Sequence, residues 1–205
     1  MEGVIASSAR RKEIAVQPPP ASDPRPLTGE PLSLDLLNTR WIDADGAHDL
    51  LDGTGGLAVW LAGSPVRETV GAEAVADRET LDRLLRTRGI LDTLVASPGE
   101  PDPTAVRALN EVLAYGRIRR ELDPAGQPTS VVEIASPAWI PSWHAAEDWL
   151  RLMGERPDRV RACANGDCVL HFYDVSKNGA RRWCSMAGCG NRAKAQRHYA
   201  RHRTA

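Results

Sequence analysis

The chain has 205 residues, 42% of them apolar, which is enough for a real hydrophobic core in one domain or one and a half. No stretch approaches the roughly eighteen consecutive apolar residues of a membrane span, and residues 1–20 lack the apolar run of a secretory signal, so we expect a soluble, cytoplasmic protein. The net charge of -1 hides an asymmetry, because residues 156–205 carry +8 and residues 1–155 carry -9. Such a cationic segment is typical of nucleic-acid binding, although it could equally dock on the acidic part of its own chain.

The first part of the chain predicts a tail followed by a helix. Residues 1–26 are rich in Ser, Ala and Pro and have no apolar periodicity, which predicts a disordered tail. From Pro31, the spacing of Leu34, Leu37 and Trp41 predicts a helix that ends near Asp43. The acidic residues 43–46 lack the glycine and glutamate positions of a calcium-binding EF-hand, so we expect a plain loop.

Two further helices follow. Residues 57–62 predict a short helix that is entered through a double glycine and stopped at residues 63–65; no lysine follows the glycines, so this is no phosphate loop. Asp77 is a candidate N-cap for a longer helix to Ala96. Its polar face carries Arg83, Arg86 and Arg88, which could form a ligand clamp but are more typical of a solvated face.

The remaining pattern before residue 156 is also mostly helical. Asp102 and Pro103 have the chemistry of an N-cap and first helical residue, and we expect this helix to reach about Leu122. Residues 131–134 predict a short strand, and residues 141–153 predict a last helix before Gly154. The predicted class is therefore mainly α, with a multihelical domain over residues 27–155 that contains at most a small β-hairpin.

Tryptophans are concentrated in this acidic part of the chain. Their two interpretations are an apolar pocket for a small-molecule effector and ordinary core packing, of which core packing is the commoner. The five residues are Trp41, Trp60, Trp139, Trp143 and Trp149. No hydrolase or metalloprotease motif and no recognisable carboxylate pair is present, so we expect no enzyme.

Four cysteines lie in one window, with the spacing C-x4-C-x15-C-x4-C from Cys163 and Cys168 to Cys184 and Cys189. Two close thiolate pairs suit a tetrahedral ion, and a complete set of four sulfur ligands leaves no open position for a catalytic water. We predict one structural Zn2+ per chain. Disulfides, an iron–sulfur cluster and redox-active thiols remain alternatives, which a reducing cytoplasm and the paired spacing disfavour.

The segment around the cysteines, residues 156–205, predicts a small zinc module. The Asn-Gly steps at residues 165–166 and 178–179 favour turns, and residues 169–174 alternate as a strand. Residues 191–203 contain neither Gly nor Pro and predict a basic helix. Two knuckles, a hairpin and a helix together resemble a treble-clef module, in which zinc supplies the core that about fifty residues cannot build alone.

Basic side chains of this module are candidates for contacts with nucleic acid. The predicted helix places Lys194, Arg197 and Arg201 on one side, and the preceding loop could grip phosphates. For Arg192 an equally good interpretation is that it braces the zinc thiolates, and the same alternative applies to Arg182. The full candidate set is Lys177, Arg181, Arg182, Arg192, Lys194, Arg197 and Arg201.

Two stretches resemble known families. Residues 181–194, with Cys-Gly-Asn-Arg at 189–192, and the Phe-x-Asp-x-Ser-x-Asn stretch at 172–178 resemble the CGNR zinc finger. Residues 34–40, followed by Asp49-Leu50-Leu51 and Trp60-Leu61, resemble the ABATE domain that accompanies this finger in stress-induced transcription regulators. The resemblance implies a bacterial DNA-binding regulator.

Two hypotheses of function follow. In the first, the chain is a zinc-dependent regulator that binds double-stranded DNA, and residues 27–155 sense a signal, such as a small-molecule effector, or form a dimer. A homodimer is expected, since one small finger contacts few base pairs. In the second, the finger is a protein- or RNA-interaction module without an operator, or it clamps the acidic domain. The uninterrupted basic helix after Cys189 favours the first.

Overall fold

The computed structural model describes residues 22–97 and 99–195, and its class is mainly α, as predicted. Each of its sheets is a two-stranded antiparallel hairpin, formed by β1 and β2, β3 and β4, or β5 and β6. The helices are α1 (Leu32–Leu37), α2 (Thr54–Ala62), α3 (Ser64–Val70), α4 (Arg78–Ala96), α5 (Pro103–Leu113) and α6 (Ile140–Glu155). The strands are β1 (Arg40–Asp43), β2 (Gly46–Asp49), β3 (Gly116–Leu122), β4 (Pro128–Ile134), β5 (Val160–Ala162) and β6 (His171–Tyr173).

Side-chain caps set the starts of the two helices whose N-caps the sequence predicted. The Asp77 carboxylate accepts a 2.8 Å hydrogen bond from the backbone N–H of Thr80, and Asp102 accepts from Thr104 and Ala105. Each carboxylate satisfies N–H groups that have no partner inside the helix. Both predicted helix starts are confirmed.

The predicted helix over residues 31–43 is wrong in its second half. α1 ends at Leu37, and Trp41 lies on β1, directly opposite His48 of β2. The indole and imidazole rings stack with their centroids 4.9 Å apart, and Trp41 also belongs to the hydrophobic core. The predicted loop at residues 43–46 is the turn of this hairpin, with Gly46 at a φ of 122°.

The predicted helix from Asp102 also ends early, at Leu113 instead of Leu122. Residues 116–122 form β3, which pairs with β4 along its whole length and begins with Gly116 opposite Ile134. A Cβ at Gly116 would lie 2.5 Å from the indole nitrogen of Trp143, so this close approach needs glycine. The strand predicted at residues 131–134 is confirmed, and residues 22–155 contain two hairpins.

Two smaller differences concern helix ends. α2 ends at the predicted stop, residues 63–65, but a new helix, α3, begins there at Ser64. A proline is compatible with the first turn of a helix, so it does not prevent this start. α6 continues through Gly154 to Glu155. α2 begins at Thr54, so the double glycine lies in its first turn, and Gly56 has a packing role because a Cβ there would lie 1.5 Å from the carbonyl oxygen of Leu50.

The core forms around α1, which packs against α4 and α6. Its residues Leu34 and Leu36 are fully buried, as is Trp60 of α2. All five tryptophans of the acidic part are at most 7% exposed, which confirms the prediction of core packing. None of the helices in residues 22–97 and 99–195 is long and apolar enough to cross a membrane.

Charged groups are built into this core. Asp35 is 2% exposed and accepts hydrogen bonds from Arg25, from the indole N–H of Trp60 and from the backbone of Gly29. Arg25 is itself 7% exposed, so part of the segment assigned to the predicted tail packs against α1; residues 1–21 lie outside the described residues. Every buried charge here is paired and hydrogen-bonded, as burial in a low dielectric requires.

Arg88, one of the three arginines on α4, is also internal. Its guanidinium donates to both carboxylate oxygens of Asp49, at 2.7 and 2.6 Å, and to the Thr39 hydroxyl. Arg83 pairs with Glu79, and Arg86 pairs with Glu111. Arg88 therefore joins α4 to the first hairpin, whereas the pairs of Arg83 and Arg86 lie on the solvated side of the helix.

Candidate metal centre and its cationic surroundings

Two short knuckles bring the four cysteines together. Cys163 directly follows β5, and its N–H donates to the carbonyl oxygen of Leu170 at 2.9 Å, which closes the first knuckle. In the second knuckle a π-helical turn spans Met186–Gly190, and the Ser185 hydroxyl accepts a hydrogen bond from Gly188. The predicted arrangement of two knuckles on a hairpin is present.

The sulfur atoms have the geometry of a tetrahedral site. All four Sγ atoms lie within 4.8 Å of one another, and Cys184 Sγ is 3.8 Å from Cys168 Sγ and 3.6 Å from Cys189 Sγ. Bonds of about 2.3 Å from a central ion to four sulfurs give tetrahedron edges of about 3.8 Å. All four cysteines are free thiols, so their donor set fits a single thiophilic metal ion.

The thiols of the cluster are close enough to change one another's pKa values. The hydrogen bond between the Cys168 and Cys184 sulfur atoms lowers the pKa of Cys168 to about 5 and raises that of Cys184 far above its ordinary value. Burial raises the pKa of Cys163 as well. One thiolate forms easily but further ones repel it, and a bound divalent ion removes this repulsion.

Polar groups outside the sulfur cluster point at it. The backbone N–H of Cys184 faces Cys163 Sγ at 3.5 Å, the Asn165 amide faces Cys189 Sγ at 3.6 Å, and Arg192 Nη2 lies 3.2 Å from the same sulfur. The hydrogen bond to Cys189 raises the pKa of Arg192 above its ordinary value. The structure thus favours the bracing role for Arg192, which offsets part of the negative charge of four thiolates.

Arg181 points into the fold. Its guanidinium lies 4.2 Å above the Phe172 ring, donates to the carbonyl oxygens of Trp183 and Cys184, and forms a 3.0 Å ion pair with Glu30. These contacts use the planar donor fork of arginine within the protein. Arg181 therefore holds the second knuckle against the N-terminal part of the chain.

The other candidate cations face outward or lie beyond the described residues. Lys177, Arg182 and Lys194 are exposed and form no salt bridge with a described carboxylate, and Arg182 lies 5.3 Å above the Trp183 ring. A cleft of about 490 Å³ beside the second knuckle is lined in part by Arg182, Trp183 and Ser185. Residues 191–195 are helical, as predicted, whereas Arg197 and Arg201 lie outside the described residues.

Comparison with known families agrees with this geometry. Residues 30–156 match the ABATE family, described as "Putative stress-induced transcription regulator". Residues 159–202 match the CGNR zinc finger. The chain belongs to the ABATE family. No curated protein matches it.

The ABATE domain and the CGNR finger are joined by two side chains that the sequence reasoning missed. Asn38, at the end of α1, is fully buried; its amide donates to the carbonyl oxygen of His171, and its oxygen accepts from the His171 N–H, both at 2.8 Å. Glu30 accepts from the N–H of Tyr173 and from Arg181. An asparagine directly after the buried leucines of α1 was the available signal, because a buried amide must find partners.

The Phe-x-Asp-x-Ser-x-Asn stretch of the CGNR finger has a structural use. The Asp174 carboxylate is 1% exposed and accepts from the backbone N–H groups of Ser176 and Arg181, and hydrogen bonding to Ser176 lowers its pKa. Phe172 is fully buried under Arg181. The stretch therefore folds the turn that returns the chain to Cys184.

Proposed function

We propose that this ABATE protein is a transcription regulator that binds double-stranded DNA through its zinc finger. Membership of a regulator family and of a zinc-finger family supports the proposal coarsely. The observation that carries it is the distribution of charge around the cysteine site. Exposed Lys177, Arg182 and Lys194 lack carboxylate partners in the described part of the chain, and such cations are available to phosphates.

The proposed ion is one structural Zn2+ per chain, held by Cys163, Cys168, Cys184 and Cys189. Four sulfur donors at tetrahedral separations form a complete ligand set, which suits zinc in a structural role. Bound zinc with four thiolates adds a charge of -2, which Arg192 offsets in part. The finger remains cationic overall, because residues 156–205 carry +8.

The acidic residues of the finger do not cancel this surface. Asp158 pairs with Arg156 and Arg159, and Asp174 is buried with Arg159 beside it. These two carboxylates are thus neutralised by a separate set of arginines, whereas Asp167 is exposed and forms no salt bridge with a described cation. A homodimer would double the number of base pairs contacted, and we propose that the ABATE domain supplies the dimer contact or the signal.

The test is fluorescence anisotropy of the full-length, zinc-loaded protein with labelled genomic fragments that it retains from a pool. Binding should weaken steeply with salt, with a slope of log affinity against log salt of about -0.9 for each phosphate neutralised. Arg182→Ala should weaken binding at low salt. The matched variant Arg181→Ala should mainly lower the folding stability, because that side chain forms its contacts inside the protein.

A second candidate is favoured by the docking of the finger on the ABATE domain through Arg181 and Glu30. In that case the finger is an interaction or clamping module without an operator. Lack of binding to any duplex at low salt, with zinc present, would replace the regulator proposal by this one. We expect no enzymatic activity under either proposal.

A further inference from the structure

A cavity of about 470 Å³ lies where the ABATE domain meets the CGNR finger. Its walls come from α4, α5 and α6, including Leu109, Trp149 and Met153, and from β5, including Val160 and Ala162. This volume is within the range of pockets that hold small molecules, about 300–1,000 Å³. The cavity is separate from the cysteine cluster and from the cleft beside Arg182.

We propose that this cavity binds a small, uncharged, largely apolar molecule with one hydrogen-bonding group, and that its occupancy is communicated to the metal site. The side chains that line it in the described part of the chain are uncharged, so a charged ligand would lose its hydration without compensation. The apolar walls match an aromatic or aliphatic ligand, which would gain contacts that the open cavity lacks.

Asn110 supplies a polar contact, and Ser97 also lines the cavity. Its side chain lines the cavity and makes no hydrogen bond to any described residue, while its backbone carbonyl accepts from Ala114. A carboxamide offers both a donor and an acceptor, so it can bind a hydroxyl, a carbonyl or an N–H group of the ligand. One such group among apolar walls fixes the orientation of a small molecule.

The route from the cavity to the metal site is short. Val160 and Ala162 line the cavity from β5, and Cys163 is the next residue in the chain. Ala162 pairs with His171 of β6, and His171 is held by Asn38 of the ABATE domain. A ligand that packs on β5 therefore contacts the strand that positions the first sulfur ligand.

The test uses the neutral dye N-phenyl-1-naphthylamine, which is apolar and carries one N–H group, with the full-length, zinc-loaded protein. We expect saturable fluorescence enhancement at one dye per chain. Ala162→Phe should fill the cavity and weaken binding at least tenfold. The matched control is Ala47→Phe, which places the same ring on an exposed strand residue of the first hairpin, and it should bind as the wild type does.

A second cavity-filling variant guards against misfolding of the first. Val106→Trp enlarges a side chain of α5 that lines the opposite wall and is 37% exposed, and it should also weaken binding. Asn110→Leu should weaken binding about fivefold through loss of one hydrogen bond. Unchanged affinity in the folded filling variants would overturn the proposal. Self-association is measured by light scattering. If the dye binds only at protein concentrations too low for self-association, a second copy of the chain is the occupant of the cavity, and the proposal is overturned too.

The coupling has its own readout, which does not depend on DNA binding. Zinc transfer to the chromogenic chelator 4-(2-pyridylazo)resorcinol should slow at least twofold when the dye saturates the wild type, and should not respond to dye in Ala162→Phe. An unchanged transfer rate at saturation would overturn the coupling. Because neither measurement contains DNA, failure here is distinguishable from failure of the proposed function.

Discussion

The ABATE domain and the CGNR finger form their cores in different ways. The ABATE core contains fully buried Leu34, Leu84, Leu91 and Trp60, contributed by three helices. The buried part of the finger consists mainly of Phe172, Leu170 and the cysteines, which hold sulfur rather than hydrocarbon at its centre. From this difference we expect that apolar burial stabilises the first region and that a bound ion stabilises the second.

The variant Cys184→Ser tests this comparison most strongly. Loss of one thiolate from the buried cluster should remove zinc and unfold residues 159–195, because binding free energies for structural zinc of about 10–16 kcal/mol are also folding free energies in such modules. Metal content and limited proteolysis of the C-terminal segment measure the effect. Far-UV circular dichroism should retain most of the helical signal of the ABATE domain.

The control for that variant is Val175→Ser, a finger residue that is 81% exposed. It should keep one zinc per chain and wild-type resistance to protease. Equal resistance of Cys184→Ser and Val175→Ser would contradict the dependence of the finger on its metal.

The next effect concerns the ABATE domain, where Arg88→Met leaves Asp49 without its bidentate partner. We expect a loss of about 3 kcal/mol in the free energy of unfolding, at the lower end for a broken buried pair because the Asp49 side chain is 34% exposed. Urea unfolding followed by tryptophan fluorescence gives the value. The matched variant Arg86→Met removes an exposed pair with Glu111 and should cost below about 1 kcal/mol.

The same pair has a pH dependence of definite sign. Burial alone would raise the pKa of Asp49, but hydrogen bonds and charge from Arg88 outweigh it and hold the pKa below its ordinary value. Its contribution is therefore fully present above the unfolded pKa of about 3.9 and is lost as the pH falls through the folded pKa. Stability of wild type relative to Asp49→Asn should shrink across that acid range, and a constant difference would contradict the assignment.

How far the sequence predicted these regions depends on how local each determinant is. The N-caps Asp77 and Asp102 and the four cysteines act within a few residues, and they were found from spacing. Trp41 was misplaced because its position is set by a cross-strand partner, His48, that no helical periodicity reveals. The strand that begins at Gly116 was missed for a similar reason, since the Trp143 ring that covers Gly116 is distant in sequence.

The third effect tests the contact between the two regions. Asn38→Ala removes both hydrogen bonds to His171 and leaves the part-buried N–H and carbonyl of His171 without their partner. We therefore expect a loss of about 2 kcal/mol in the free energy of unfolding. Zinc content should stay at one per chain, while proteolysis between residues 156 and 160 accelerates. Asn110→Ala, on an exposed helix position, is the control and should change stability by less than about 0.5 kcal/mol.

The smallest effect on stability distinguishes cations that face solvent from those used inside the fold. Lys194→Ala should leave the free energy of unfolding within about 0.5 kcal/mol of wild type, because Lys194 is exposed and forms no salt bridge with a described carboxylate. Under the proposed function it should also make the salt slope of DNA binding shallower by about 0.9 if it neutralises one phosphate. Arg181→Ala should do the reverse, since its guanidinium joins Glu30, Phe172 and Cys184. Denaturant titrations and anisotropy at several salt concentrations give both quantities for both variants. A large stability loss for Lys194→Ala, or a shallower slope for a folded Arg181→Ala, would reverse the division between outward and inward cations.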